Sequence, residues 1–252
     1  MRQLIPHPAR DVEPDLAALY AYPGHATRWV RANMVASADG AAQAEGRSAG
    51  LSGEADKKIF RVLRALADVV LVGASTVRTE GYHQPAVPRE QYARLRADAG
   101  QPPAPSIAVV SASLDLDFES ALYREAVVPT ITVTVTDAPE AQLAHAREAG
   151  EVLIAGTGRV DIARAIDQLA GSGRGRILCE GGPKLLAEVA NAGRLDELCL
   201  SLSPRLVGGE ATRILAGPAL DPSLPLALHT LLTEDGFLFT RHLVAYPQVS
   251  DR

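Results

Sequence analysis

Short apolar runs alternate with longer amphipathic stretches along most of this chain, which is the pattern of an α/β protein. Trp29 to Ser37, Val69 to Val72 and Ile107 to Val110 have the length and apolar character of buried strands. Between them, apolar residues recur every three or four positions, as in Ile59 to Ala67, which predicts helices. Because strands that alternate with helices usually join a parallel sheet, we expect a mostly parallel core.

The two ends of the chain depart from this alternation. His229 to Thr233 and Phe237 to Val244, joined by a turn at Glu234-Asp235-Gly236, predict an antiparallel hairpin and therefore a mixed sheet. The first 28 residues form a proline-containing arm with one short helical candidate, Pro14 to Tyr20, and no assigned chemistry. We expect an arm over residues 1–28 and a single domain over residues 29–252.

Composition and residue spacing argue against several classes of function. The 252 residues carry a net charge of −5 without a cationic stripe, so nucleic acid is an unexpected partner. The two cysteines lie in apolar segments, and no Cys-x-x-Cys or His-Glu-x-x-His spacing suggests a metal site. With neither a signal peptide nor a membrane-length apolar run, we expect a cytoplasmic protein that does not bind membranes.

The stretch Arg176 to Leu186 is the most informative part of the chain. A short strand ends at Glu180, turns through Gly181 and Gly182, and enters a helix at Pro183, a residue suited to the first helical position. Free backbone amides and the helix dipole at such a start favour an anionic group. An ordinary Gly-Gly turn is the alternative interpretation.

Other predicted strands also end in glycine or small polar residues. They are followed by Ser37-Ala38-Asp39-Gly40, Gly73-Ala74-Ser75-Thr76 and Ser111-Ala112-Ser113, which are also compatible with simple turns and helix caps. Because the carboxyl ends of parallel strands share one edge of a sheet, these segments predict one ligand cleft. Gly156-Thr157-Gly158 mimics a dinucleotide fingerprint, but Asp161 occupies the third glycine position, and we interpret it as a helix N-cap.

The order of four motifs resembles one family. Ser37-x-Asp39-Gly40, Gly73-x-x-Thr76-x-x-x-Glu80, Glu180-Gly181-Gly182-Pro183 and Val207-Gly208-Gly209 follow one another as in the riboflavin-biosynthesis pyrimidine reductases, the reductase half of bifunctional deaminase/reductases. The resemblance covers roughly residues 29 to 245. It implies a three-layer α/β fold of the dihydrofolate-reductase-like class, with a mostly parallel mixed sheet and a C-terminal antiparallel hairpin.

The resemblance also implies an activity: NADPH-dependent reduction of 5-amino-6-(5-phosphoribosylamino)uracil, with hydride delivered to the sugar C1′ of a ring-opened imine. Asp39 or Glu80 would stabilise or protonate the imine nitrogen, and a homodimer is expected. The substrate would be bound by Asn33, Ser48, Arg64 and Glu180. The cofactor would be bound by Thr76, Glu80, Ser111, Ser113, Gly181, Gly182, Pro183, Lys184, Leu185 and Leu186.

Three departures from the family pattern bear on the substrate. Asn33 stands where the family commonly has lysine, Glu80 where it has aspartate, and the family's phosphate-binding arginine has no clear match in residues 81–85. The missing phosphate anchor motivates a second hypothesis, reduction of dihydrofolate or a related pterin on the same fold. A third is a nucleotide-binding regulator without turnover.

Overall fold

The computed structural model describes residues 1–7, 13–82 and 89–246. Within these ranges, ten strands form one sheet: β1 (Arg2–Ile5), β2 (Trp29–Ser37), β3 (Val69–Gly73), β4 (Ser106–Val110), β5 (Ile131–Thr134), β6 (Glu151–Ile154), β7 (Arg176–Gly181), β8 (Glu197–Ser203), β9 (Leu226–Glu234) and β10 (Phe237–Val244). The helices of the same ranges are α1 (Leu16–Leu19), α2 (Glu54–Leu66), α3 (Ala74–Glu80), α4 (Glu90–Asp98), α5 (Ala121–Arg124), α6 (Glu140–Ala149), α7 (Ile162–Gly171) and α8 (Pro183–Asn191).

The strand order is β1-β9-β10-β8-β2-β7-β3-β4-β5-β6. From β8 to β6 every neighbouring pair is parallel, whereas β8, β10, β9 and β1 pair antiparallel. The expected α/β class, with a mostly parallel mixed sheet and a C-terminal hairpin, is therefore confirmed.

Helices cover both faces of the parallel part, which gives three layers. Val70 and Val72 face a core shared with α2, whereas Val69 and Leu71 face a second core shared with α7 and α8. This division follows from the two-residue period of a strand: an apolar run buried on both sides supplies both cores at once.

Two local features of the structure were not predicted. The arm contains a strand that the sequence analysis did not assign, since β1 pairs with β9 through Gln3 and Leu232 at the sheet edge. Helix α2 is capped by Gly53 rather than by Ser52, whose hydroxyl donates instead to the Asp56 carboxylate at 2.5 Å. A strand of four residues has little pattern of its own and is stabilised by its distant partner.

A buried charge network fastens the arm to the sheet. The Glu197 carboxylate accepts hydrogen bonds from Arg31 and Arg241, each through Nε at 2.7 Å and Nη2 at 3.1 Å. The same two arginines donate at 2.7 Å to the carbonyl oxygens of Tyr20 and Leu19 in the arm. Burial disfavours the Glu197 charge, but the two guanidinium groups outweigh it and hold the pKa of Glu197 below its usual value.

Candidate active site

A cleft of about 1050 Å³ opens at the carboxyl ends of the central parallel strands. Its walls include residues 73–76 at the end of β3, residues 110–113 at the end of β4, and Glu180 and Gly182 at the end of β7. Sequence analysis predicted that these strand ends converge, and the structure brings them together. Of the predicted site residues, the cleft is lined by Asn33, Ser48, Thr76, Glu80, Ser111, Ser113, Glu180, Gly182, Pro183, Lys184 and Leu185.

Of the two glycines at the end of β7, Gly182 lines the cleft, whereas Gly181, the last residue of the strand, is buried and is not among the lining residues. Gly181 has φ of +82°, a left-handed conformation that side chains rarely adopt, and its peptide bond to Gly182 is cis. A Cβ at Gly182 would stand 2.8 Å from the Thr76 hydroxyl, so the Thr76 side chain would have to move to admit a larger residue here. Helix α8 begins directly afterwards at Pro183, which places the dipole of a nine-residue helix beside the cleft.

Leu186 and Ser111 have structural roles that sequence analysis did not anticipate. Leu186 is 1% exposed in the core beneath α8 and does not line the cleft. The Ser111 hydroxyl accepts from the Leu114 amide at 3.0 Å and shapes the turn after β4, on which Ser113 is exposed.

Glu80 connects α3 to the loop on the opposite wall. Its Oε1 accepts from the backbone amide of Ser48 at 2.8 Å, and both residues line the cleft. A carboxylate that sequence analysis assigned to catalysis therefore also positions the loop that carries Ser48.

Arg64 and Glu180 form the strongest polar contact at the cleft. The guanidinium donates from Nε to Oε1 and from Nη2 to Oε2, both at 2.7 Å, and the Tyr82 hydroxyl also donates to Oε2. Arg64 stacks 4.3 Å from the ring centre of Phe60 and 5.3 Å from that of Tyr82, behind the surface of the cleft. Burial opposes the Arg64 charge, but Glu180 outweighs it and raises the pKa of Arg64. Burial, together with the Glu180 charge, raises the pKa of the Tyr82 hydroxyl.

Asp39 lies outside the residues that line the cleft. Its carboxylate accepts from the Ser37 hydroxyl at 2.5 Å, from the Gly208 amide at 2.7 Å and from the Val207 amide at 3.2 Å. These bonds, that of Ser37 first, lower the pKa of Asp39 to about 2. They tie the end of β2 to a loop that contributes Thr212 to the cleft wall.

Asn33 and several residues that sequence analysis did not select also line the cleft. Asn33 Oδ1 is buried and has no hydrogen-bond partner among the described residues, so it can accept a donor from a ligand. Among the unselected residues are Asp56, Lys57, Phe60 and Tyr82. In the sequence, Phe60 is part of an ordinary apolar stripe of a helix. Only its spacing of four residues from Asp56 and from Arg64 could have suggested that the three residues lie on one face of α2.

The structure also bears on metal binding and on membrane spanning. The described residues contain no group of three or more His, Cys, Asp or Glu side chains able to hold a metal ion. In the same part of the chain, every helix is too short or too polar to cross a bilayer.

Comparisons with known proteins agree with this architecture. The sequence model of the family described as the RibD C-terminal domain matches residues 28–236. A 2,5-diamino-6-ribosylamino-4(3H)-pyrimidinone 5′-phosphate reductase from Methanothermobacter thermautotrophicus is 31% identical over 194 residues, which cover 77% of this chain and 86% of that protein.

Solved structures show the same fold. A pyrimidine reductase-like protein from Corynebacterium diphtheriae superposes with a TM-score of 0.81 at 25% identity, covering 92% of this chain and 99% of that one. The deaminase/5-amino-6-(5-phosphoribosylamino)uracil reductase from Thermotoga maritima superposes with a TM-score of 0.66 at 15% identity, covering 86% of this chain and 57% of that one.

This chain therefore shares the fold of these solved reductase and reductase-like structures. The chain belongs to the RibD C-terminal domain family, as the match over residues 28–236 shows. Among its curated relatives, three carry the name of the pyrimidinone phosphate reductase.

Proposed function

We propose that this protein is an NADPH-dependent reductase of a ribosylaminopyrimidine 5′-phosphate in riboflavin biosynthesis. The observation that carries the proposal is that one cleft joins a glycine turn and helix start, suited to a diphosphate, to the Arg64–Glu180 pair. The family membership and the names of the relatives support the same reaction class.

The cofactor would lie along the turn after β7. Because Pro183 has no N–H, the amides of Lys184 and Leu185 in the first turn of α8 are left to face a diphosphate, and the Lys184 side chain adds a positive charge. Gly182 has no side chain, so its backbone can approach the phosphates closely. Ser111 and Ser113 would receive the adenosine end beyond the end of β4. The nicotinamide, when bound, supplies the hydride.

The residues of this chain would position and protonate the substrate. Arg64 and Tyr82 hold the Glu180 carboxylate in one orientation at the cleft surface, where it can contact the substrate. Asn33 Oδ1 would accept one hydrogen bond from the substrate. Glu80 lines the cleft and would donate a proton to the imine nitrogen, whereas Asp39, bound by loop amides, would position the loop at Val207 and Gly208.

Two substrates fit this reaction class. One is 5-amino-6-(5-phosphoribosylamino)uracil, the expectation from sequence, and the other is 2,5-diamino-6-ribosylamino-4(3H)-pyrimidinone 5′-phosphate, the compound named in the relatives. The two differ at C2 of the ring, which carries an oxo group in the first and an amino group in the second.

A pterin such as dihydrofolate is the alternative substrate. It is favoured by the few cations of the cleft: within the described lining, Lys57 and Lys184 are the basic residues, and Lys57 Nζ contacts the exposed Glu54 at 2.9 Å. A nucleotide-binding protein without turnover is the remaining hypothesis.

The loss of NADPH absorbance, followed with each pyrimidine and with dihydrofolate side by side, tests the proposal. We expect turnover with a ribosylaminopyrimidine phosphate. Turnover with dihydrofolate alone would replace the proposal by the pterin hypothesis. Binding of NADPH without oxidation by any of these compounds would favour the regulator.

We also propose a cytoplasmic homodimer that binds neither nucleic acid nor membranes. Leu226, Leu228 and Leu238 of the hairpin are 39–44% exposed, which is compatible with a second copy at that edge. Sedimentation equilibrium should give twice the mass of 26.6 kDa, and a monomer at micromolar concentration would contradict the dimer.

A further inference from the structure

Asp56 is a carboxylate in the cleft wall to which the mechanism above gives no role. It lies in the first turn of α2, is 8% exposed and lines the cleft. Its Oδ2 accepts from the Ser52 hydroxyl at 2.5 Å, and Ser52 lines the same cleft. No described cationic group lies within 4.0 Å of this carboxylate, so its charge is not neutralised by an ion pair.

Asp56, Phe60 and Arg64 are spaced by four residues and form one stripe along α2. Phe60 lines the cleft between the other two and stacks on the Arg64 guanidinium. A planar heterocycle that packs against the Phe60 ring would therefore extend one edge towards Asp56.

Glu180 is less suited to recognise such an edge. Its two oxygens already accept three hydrogen bonds from Arg64 and Tyr82, and its charge is balanced by the guanidinium. Asp56 accepts a single side-chain hydrogen bond among the described residues, which leaves acceptor capacity on both oxygens.

We propose that Asp56 determines substrate specificity by accepting two adjacent N–H groups from the heterocycle. This inference rests on the proposed function. In 2,5-diamino-6-ribosylamino-4(3H)-pyrimidinone 5′-phosphate, the C2 amino group and N3–H point the same way, on the part of the ring away from the sugar-bearing C6. A carboxylate binds such a pair through two parallel hydrogen bonds.

The uracil lacks this pair. Its N3–H is flanked by the carbonyl oxygens at C2 and C4, so a carboxylate there would accept one hydrogen bond and face the lone pairs of an oxygen. The structure therefore favours the diaminopyrimidinone over the aminouracil, which was the expectation from sequence. The aminouracil loses one charge-assisted hydrogen bond and gains this repulsion, which corresponds to about a 100-fold preference in kcat/KM for the diaminopyrimidinone.

Steady-state kinetics with both substrates, on the wild-type protein and on Asp56→Asn, test the inference. An asparagine keeps the acceptor for Ser52 and for N3–H, but its amide donates where the carboxylate accepted. It should lower kcat/KM for the diaminopyrimidinone by about 30-fold or more, and raise it for the aminouracil, so that the preference falls to about threefold or inverts. Asp98→Asn, an exposed change at the end of α4, is the matched control and should leave the preference unchanged.

The outcomes separate the two proposals. If both pyrimidines are reduced and Asp56→Asn leaves their ratio at the wild-type value, the role of Asp56 is wrong and the reductase function stands. The same conclusion holds if the variant loses both activities equally. If the wild-type protein reduces neither pyrimidine, the proposed function fails, and this inference fails with it.

Discussion

Arg64 and Glu180 meet through two parallel hydrogen bonds of 2.7 Å, which join α2 to the end of β7. The Glu180 side chain is 3% exposed and that of Arg64 21%, so the pair is largely withdrawn from water. This contact fixes a carboxylate at the surface of the cleft and links the helix that carries Asp56 to the strand that carries the glycine turn.

Replacement of Arg64 by methionine should destabilise the protein. Glu180 would be left buried with Tyr82 as its remaining donor, and the loss of one partner of a buried pair costs about 3 kcal/mol. Urea unfolding measures the change. Arg61→Met on the same helix is the control. Among the described residues, Arg61 forms an ion pair only with the exposed Glu54, at 4.0 Å, so this substitution should change stability by less than about 0.5 kcal/mol. An equal loss of unfolding free energy in the two variants would contradict a stabilising role for the Arg64–Glu180 pair.

Replacement of Gly182 by valine should abolish cofactor binding in a folded protein. The Cβ would meet the Thr76 hydroxyl at 2.8 Å, and the branches would fill the space proposed for the diphosphate. Titration of NADPH should show an affinity loss of about 100-fold or more, equivalent to about 2.7 kcal/mol. Gly171→Ala is the control, since a Cβ at Gly171 meets nothing within 4 Å. Undiminished NADPH binding by Gly182→Val would refute the proposed diphosphate site.

Glu80 and Asp39 can be distinguished as proton donors. Glu80→Gln should lower kcat about 100-fold, because the proposed proton donor is lost while the amide oxygen still accepts from Ser48. Asp39→Asn should mainly raise KM for NADPH, by about tenfold, because the loop at Val207 and Gly208 is held less firmly. Both constants come from steady-state kinetics on the two variants. Near-normal turnover and pH dependence in Glu80→Gln would exclude Glu80 as the proton donor. A loss of kcat of about 100-fold in Asp39→Asn would instead indicate that Asp39 donates the proton.

Asp39 should also leave a signature in the pH dependence of stability. Its pKa is lowered to about 2, so the folded state prefers the charged form. The stability that Asp39 contributes is then fully present above its ordinary pKa near 4 and is lost as the pH falls towards 2. The difference in unfolding free energy between wild type and Asp39→Asn should be constant from about pH 5 to 8 and should shrink below about pH 4. A difference that grows on acidification would contradict the assignment.

The two cysteines should be inert in the native protein. Burial raises the pKa of the Cys179 thiol to about 12, and burial together with the Glu197 charge raises that of Cys199 well above its ordinary value. Because the thiolate is the reactive form, a disulfide reagent at pH 8 should label neither residue until the protein is unfolded, when both should react. Rapid labelling of the native protein would show that one of the two strands opens to solvent.

Sequence patterns predicted the parts of the fold that depend on local periodicity. The bounds of β2 and the entry of α8 at Pro183 were both correct, because alternation and a proline at the first helical position are local signals. The strand in the arm was not predicted, since Arg2–Ile5 is stabilised by its pairing with β9, more than 200 residues away.

The candidate site was predictable to the extent that it lies at strand ends. The order of the motifs along the chain and their glycine residues were enough to predict that Thr76 and Gly182 line one cleft. The contributions of α2 were not apparent, because Asp56 resembles an ordinary first-turn acid and Phe60 an ordinary core residue. Which side of a helix faces a cleft depends on how the helix packs on the sheet, and that information is not local.

The hydrogen-bond network around Glu197 makes the protein sensitive to truncation at its N-terminus. A polypeptide shortened to begin at Trp29 would retain Arg31 and Arg241 but lose the Tyr20 and Leu19 carbonyl oxygens that receive their remaining N–H groups. The Nη1 groups of these two buried arginines would then lose their acceptors, and the sheet would lose the strand β1 at one edge. Removal of residues 1–28 should therefore expose apolar surface and promote aggregation.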